Sequence, residues 1–161
     1  MLSTMERFLS RALTATFEEL ALICPDTKLS AAQSEAVVDV AVTVSFNGPI
    51  SGRLVLRASS EILPCITENM LGADGAYPLT VQRDALGELA NVICGNLLPM
   101  IGGAEAVFVL SAPHEYVTGG EPQRCTPVSR ACIGIDTGRA VAQLLLSDDS
   151  LQSLGLAAEA A

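Results

Sequence analysis

Between Asp84 and Pro99 the chain reads DALGELANVICGNLLP, and on a helix this run divides into two faces. At about 100° per residue, with Glu88 as zero, Asp84 falls near −40°, Asn91 near −60° and Gly95 near −20°. One narrow stripe carries two carboxylates, a carboxamide and a glycine. Leu86, Leu89, Ala90, Ile93, Leu97 and Met100 lie between roughly 100° and 200°, the side that a helix turns to its core. The stripe therefore faces water or a partner. A carboxamide can accept a hydrogen bond from water and hold its lone pair in line without ionising, and a carboxylate can pair with a cation in a site that has shed water. Three residues of helix separate Glu88 from Asn91 by about 4.5 Å of rise, so one rigid element can deliver both into one pocket.

A solvated surface helix divides into the same two faces, and Glu is an ordinary helix former. Against that reading, Asn in a helix interior is less favourable than Ala by a few tenths of a kcal/mol and Gly by about 1. Asn91 and Gly95 thus run against local propensity, as residues kept for function do. Packing of Gly95 against another part of the same chain would account for the glycine equally well. Asp84 also has two readings, a partner contact or a favourable interaction with the helix dipole near the N-terminus.

The elements that must position this helix follow from periodicity. Leu2, Met5, Leu9, Ala12, Leu13, Phe17 and Leu20 recur at steps of three and four, predicting an amphipathic helix over 3–22 with Ser3 or Thr4 as cap and Cys24-Pro25 as stop. After a polar loop at 25–34, Val38, Val40, Val42, Val44 and Phe46 alternate with smaller or polar residues. With Ile50 to Arg57 and the turn Asn47-Gly48-Pro49, this predicts a β-hairpin. A second helix is expected over 60–71, ending at Gly72, and the long helix over 81–101, with Thr80 as cap and Gly102-Gly103 as terminator. Strands follow at 106–110, 124–135 and 139–147, with turns at Gly119-Gly120-Glu121-Pro122 and Asp136-Thr137-Gly138. The order αββααβββ describes an α+β domain whose helices cover one face of an antiparallel sheet. A single domain over 1–161 is expected, with an N-terminal helix at 1–24, a core at 30–147 and an alanine-rich tail at 148–161.

Composition excludes several classes. Nine basic and eighteen acidic residues give a formal charge of −9, which opposes binding to nucleic acid. Mean hydropathy is +0.43, yet charges or Pro and Gly interrupt every apolar run short of the ~20 residues that span a bilayer. No membrane association and a cytoplasmic location are expected, since the N-terminus places Glu6, Arg7 and Arg11 inside its apolar pattern, unlike a secretory signal. Cys24, Cys65, Cys94, Cys125 and Cys132 form no CxxC and read as small buried thiols. His114, the only histidine, has no second ligand at useful spacing, and no metal site is expected. His114 and Tyr116 read as turn and rim residues.

A wider pattern surrounds the long helix. Asp84, Glu88 and Asn91 match the signature Asp or Ser, three residues, Glu, two residues, Asn. Gly52-Arg53-Leu54-Val55-Leu56 precedes a helical segment ending in Glu68-Asn69-Met70-Leu71-Gly72, and Asn91 to Gly95 forms an Asn-x-x-x-Gly step. In these residues the chain resembles the CheX family of chemotaxis phosphatases, relatives of CheC and FliY, across roughly 30–147. It carries one copy of the signature, where CheC-like relatives are expected to carry two.

The resemblance implies a CheX-like fold, a phosphorylated CheY-like response regulator of two-component signalling as partner, and a homodimer. It implies a phosphatase in which Asn91 orients the water that attacks the aspartyl phosphate and Glu88 pairs with the regulator lysine. Asp84 and Gly95 would then contact the partner, with Gly95 letting its backbone approach closely. No cofactor is expected on this chain, because the regulator supplies the magnesium. Two other readings stay open: a non-catalytic module that binds a regulator or motor component through the same helix, and a scaffold that pairs through a sheet edge.

Overall fold

In the computed structural model, residues 2–73, 75–117 and 124–156 are described, the side chain of Leu2 excepted. The expected turn at 119–122 and the end of the tail, 157–161, lie outside the described residues. Helix α1 runs Leu2–Glu19 and α2 Ala31–Glu35; strands β1, Val40–Asn47, and β2, Gly52–Ala58, follow. A 3-10 turn at Ser60–Ile62 leads into α3, Leu63–Leu71, and then α4, Leu79–Gly102. Strands β3, Val109–Leu110, β4, His114–Glu115, β5, Cys125–Ile135, and β6, Gly138–Ser147, precede α5, Asp148–Ser153.

All strand pairs are antiparallel, in the order β3-β1-β2-β6-β5, with β4 pairing β1 alongside β3. The sheet is thus α+β as expected, with one strand more than the sequence pattern shows. In register, Val42 opposes Leu56 and Val44 opposes Leu54, while Leu54 and Leu56 oppose Leu144 and Ala142 across β6. Period two puts these side chains on one face, and α1 and α4 cover it; α4 lies on β1 and β2, α1 on β5 and α4, and α3 packs against α4. The other face is not simply polar. Thr43, Val55, Val141 and Leu145 there are also buried, and the Arg57 guanidinium lies over the Tyr116 ring, 5.1 Å from its centroid, with Nη1 donating to Gln143 at 3.2 Å.

Several boundaries differ from the sequence pattern. α1 stops at Glu19, before Leu22 turns to φ +54°, and Ser3 and Thr4 lie inside it. The loop at 25–34 holds structure: Asp26 bridges Gly134, Ser30 and Gln33 form a capping box at α2, and the buried Gln33 amide donates to Asp26 Oδ2 at 2.8 Å and Asp136 O at 2.9 Å. α4 starts two residues early, so Thr80 is not its cap. Pro78 occupies that position, and its carbonyl accepts from the N–H groups of Val81 and Gln82 at 3.0 and 3.1 Å. Of the five free cysteines only Cys94 is buried, so the expectation of small buried thiols is corrected for the rest: Cys24, in the loop after α1, is exposed, and Cys65 on α3 and Cys125 and Cys132 on the edge strand β5 are half-buried. Burial pushes the Cys94 thiol up to about 12, which keeps it protonated and inert.

α4 is also long and apolar enough to cross a membrane by composition, since its scattered polar residues still leave a mean hydropathy of 1.3 over its most apolar window. Half of that window is buried inside the protein, as in a core helix. Leu86, Leu89, Ala90, Ile93 and Leu97 are fully buried and Met100 is half-buried. Leu86→Ala, which leaves a cavity beneath α4, is expected to lower stability by about 3 kcal/mol in denaturant unfolding.

Candidate functional site

α4 begins at a designed corner. Tyr77 Oη donates to Gly72 O at 2.6 Å, closing the loop from α3, and Gln82 Nε2 donates to Tyr77 O at 2.9 Å, adding a side-chain link to the first turn. Pro78, fixed near φ −65°, presets the entry. From there the buried face of α4 sets its rotation, and the polar stripe emerges opposite. Asp84, Glu88 and Gly95 are exposed and Asn91 is half-buried. No residue among those described hydrogen-bonds the carboxylates of Asp84 and Glu88 or the carboxamide of Asn91.

Two readings left open by the sequence close here. A Cβ built on Gly95 meets nothing within 4 Å, so packing inside the chain does not explain this glycine. Asp84 is the sixth residue of α4, beyond its first turn, so the helix dipole gives no reason for it.

Asp84 and Glu88 line one side of a cleft of about 370 Å³. Its other side comes from β4 and the residue before it, Pro113, with Val42 among its lining residues. Arg83 spans the cleft, its Nη2 lying 3.8 Å from Glu115 Oε1 with Arg83 partly and Glu115 largely exposed, a long ion pair of little energetic weight. Pro113 rests on Gly87, where a Cβ would come within 2.9 Å of Pro113 Cβ. The turn read at His114 and Tyr116 is corrected: His114 and Glu115 form a strand on β1 and Tyr116 lies beneath Arg57, while His114 is exposed and lines the cleft. A glycine immediately before Glu88, on a helix otherwise rich in good formers, is the local signal of this contact.

An antiparallel sheet crossed on one face by a helix with this stripe defines a recognisable class. The chain aligns over 89% of its length with 99% of the chemotaxis protein CheX of Desulfovibrio desulfuricans, at 18% identity and a TM-score of 0.68. It covers 97% of the matched chain in the CheX-CheY-BeF3-Mg complex of Borrelia burgdorferi with 88% of its own length, at 12% identity and a TM-score of 0.60. The FliM middle domain of H. pylori shares the fold too, at 13% identity, a TM-score of 0.63 and 95% coverage of both chains. At such identities the likeness is one of fold. Residues 40–138 match the family described as Chemotaxis phosphatase CheX, and the chain belongs to that family. None of the curated proteins matches it.

The exposed, uncontacted Gly95 gives a test of the stripe as a surface kept for a partner. Gly95→Ala is expected to raise unfolding stability by about 0.5–1 kcal/mol in a denaturant titration, because it improves helix propensity without a clash.

Proposed function

We propose that this protein stimulates hydrolysis of the aspartyl phosphate on a CheY-like response regulator, acting in the cytoplasm where such regulators signal. The observation that carries the reading is that Glu88 and Asn91 stand together on the outward stripe of one rigid helix, free of hydrogen bonds to the described residues. Membership in the CheX family and the fold likeness to a CheX chain bound to CheY support it. Because the FliM middle domain shares the fold, the stripe and not the architecture bears the weight.

In this mechanism the regulator brings the phosphoryl group, its magnesium and its lysine. When bound to the regulator, that magnesium would supply neutralisation of charge on the phosphoryl group. Asn91 Oδ1 accepts a hydrogen bond from a water O–H and aims the water lone pair at phosphorus, opposite the aspartyl oxygen. The water oxygen bonds to phosphorus, the phosphorus–aspartyl bond breaks with its electron pair staying on the regulator carboxylate, and both water protons leave with the phosphate as dihydrogen phosphate. Glu88 pairs with the regulator lysine and fixes the docking register. Holding both groups on one helix removes much of the entropic cost of placing the water. Asp84 and Gly95 extend the contact along the stripe. A homodimer belongs to the same reading, and the edge strand β5, paired by β6 on one side and bridged on the other by Asp26 at Gly134 near its end, offers the rest of that edge as a surface for it.

The test mixes protein, magnesium and a phosphorylated CheY-like regulator and follows loss of phosphate. The native chain is expected to accelerate it, and Asn91→Ala to cut the stimulated rate about 100-fold while regulator affinity changes by less than about threefold. Tight binding by both chains without acceleration by either would replace this reading with that of a non-catalytic binding module.

A further inference from the structure

Asn91 differs from its neighbours on the stripe: Glu88 and Gly95 are exposed, whereas Asn91 is half-buried and yet makes no hydrogen bond to the described residues. After Gly103 the chain doubles back along α4, and two glycines let it lie close. A Cβ on Gly102 would come within 2.8 Å of the Phe108 ring, and one on Gly87 within 2.9 Å of Pro113. On the helical wheel Gly87 falls near −100° and Gly102 near −40°, with Asn91 between them near −60°. Asn91 lies four residues beyond Gly87, about 6 Å along the axis, level with roughly the second residue before Pro113 on the returning strand.

The returning segment is itself fixed to the sheet. Phe108 meets Phe46 edge to face at 6.2 Å between centroids. Leu110 pairs with Phe46, Ser111 N donates to Ser45 O at 2.8 Å, and Ser45 N donates to Ser111 Oγ at 2.9 Å. A segment tied to the sheet and seated against two glycines of α4 therefore runs along the side of the helix on which Asn91 falls.

We infer that Gly87 and Gly102 are positioning residues for Asn91: they admit the 108–113 segment close enough to α4 to confine the carboxamide, leaving its oxygen free for water. The catalytic consequence rests on the function proposed above; the confinement does not. A group held by packing keeps its hydrogen-bonding capacity for the substrate water and loses less rotamer freedom when that water is placed.

The experiment compares the native chain, Gly87→Ala, and Gly87→Ala combined with Pro113→Gly, which removes the side chain that the new methyl strikes. All are checked for folding by circular dichroism. Side-chain amide relaxation of Asn91, measured by NMR on the free protein, is expected to show a restrained NH2 group in the native chain, a more mobile one in Gly87→Ala, and restraint regained in the double variant. In the phosphatase assay, kcat is expected to fall about tenfold in Gly87→Ala with KM within about twofold, and to recover in the double variant. Should Gly87→Ala fail to fold, Gly102→Ala and its pairing with Phe108→Leu make the same comparison. Unchanged Asn91 mobility in a folded notch variant, or lost restraint that the compensating change does not restore, would overturn the inference. A native chain with a restrained Asn91 but no stimulation of dephosphorylation would instead count against the proposed function alone.

Discussion

Burial of one face of α4 fixes the direction of everything on its other face. Leu86, Leu89, Ile93 and Leu97 are fully buried in the core shared with β1, β2 and α1. Burying each such side chain is worth about 1.5–3 kcal/mol, so rotating the helix by one residue would expose part of this set at a cost comparable to a large share of a domain's stability. The helix therefore has one azimuth, and Asp84, Glu88, Asn91 and Gly95 inherit an outward direction from leucines they do not touch. The sheet beneath matters to function chiefly as the surface that holds this rotation.

The stripe carries features that stability alone would remove. Gly95 sits mid-helix with open space where a side chain would stand, and Asn91 occupies a half-buried position without a hydrogen bond to the described residues. Either position would be better filled, for folding, by alanine or a longer helix former. Polar groups with unused hydrogen-bonding capacity, fixed on a rigid element, are what a docking and water-orienting surface requires. The cleft beside them, bounded by Gly87 and Pro113, shows that the sheet edge closes on the helix close to the motif and leaves Asp84 and Glu88 exposed.

Much of this was legible in the sequence for a definite reason. The α4 faces repeat at the helical period, and β1 alternates at period two, so elements with strong internal periodicity could be read locally, as could the α+β order they imply. What escaped notice depends on partners distant in the chain. β4 is two residues long, too short for any pattern, and exists because Val42 and Thr43 offer it an edge. The start of α4 was misread because Pro78 caps it through its backbone carbonyl while Thr80 has the side chain that usually signals a cap. The buried outer face of β2 reflects Arg57, Tyr116 and Gln143 closing over it, a tertiary arrangement with no local signature. In the site, the four stripe positions were visible as a periodic set, but the notch at Gly87 joins residues 26 positions apart and became visible only in three dimensions.

On the proposed function, the outward stripe of α4 enters the phosphorylation site of a response regulator. The most direct measurement is an NMR titration of the isotopically labelled protein with a CheY-like regulator activated by beryllofluoride and magnesium. Resonances of Asp84 to Gly95, including the Asn91 side-chain amide, are expected to shift or broaden first and most strongly, and the unactivated regulator to perturb them far less. Perturbations confined to the β5 edge or to α1, with the α4 stripe unmoved at saturation, would contradict that reading.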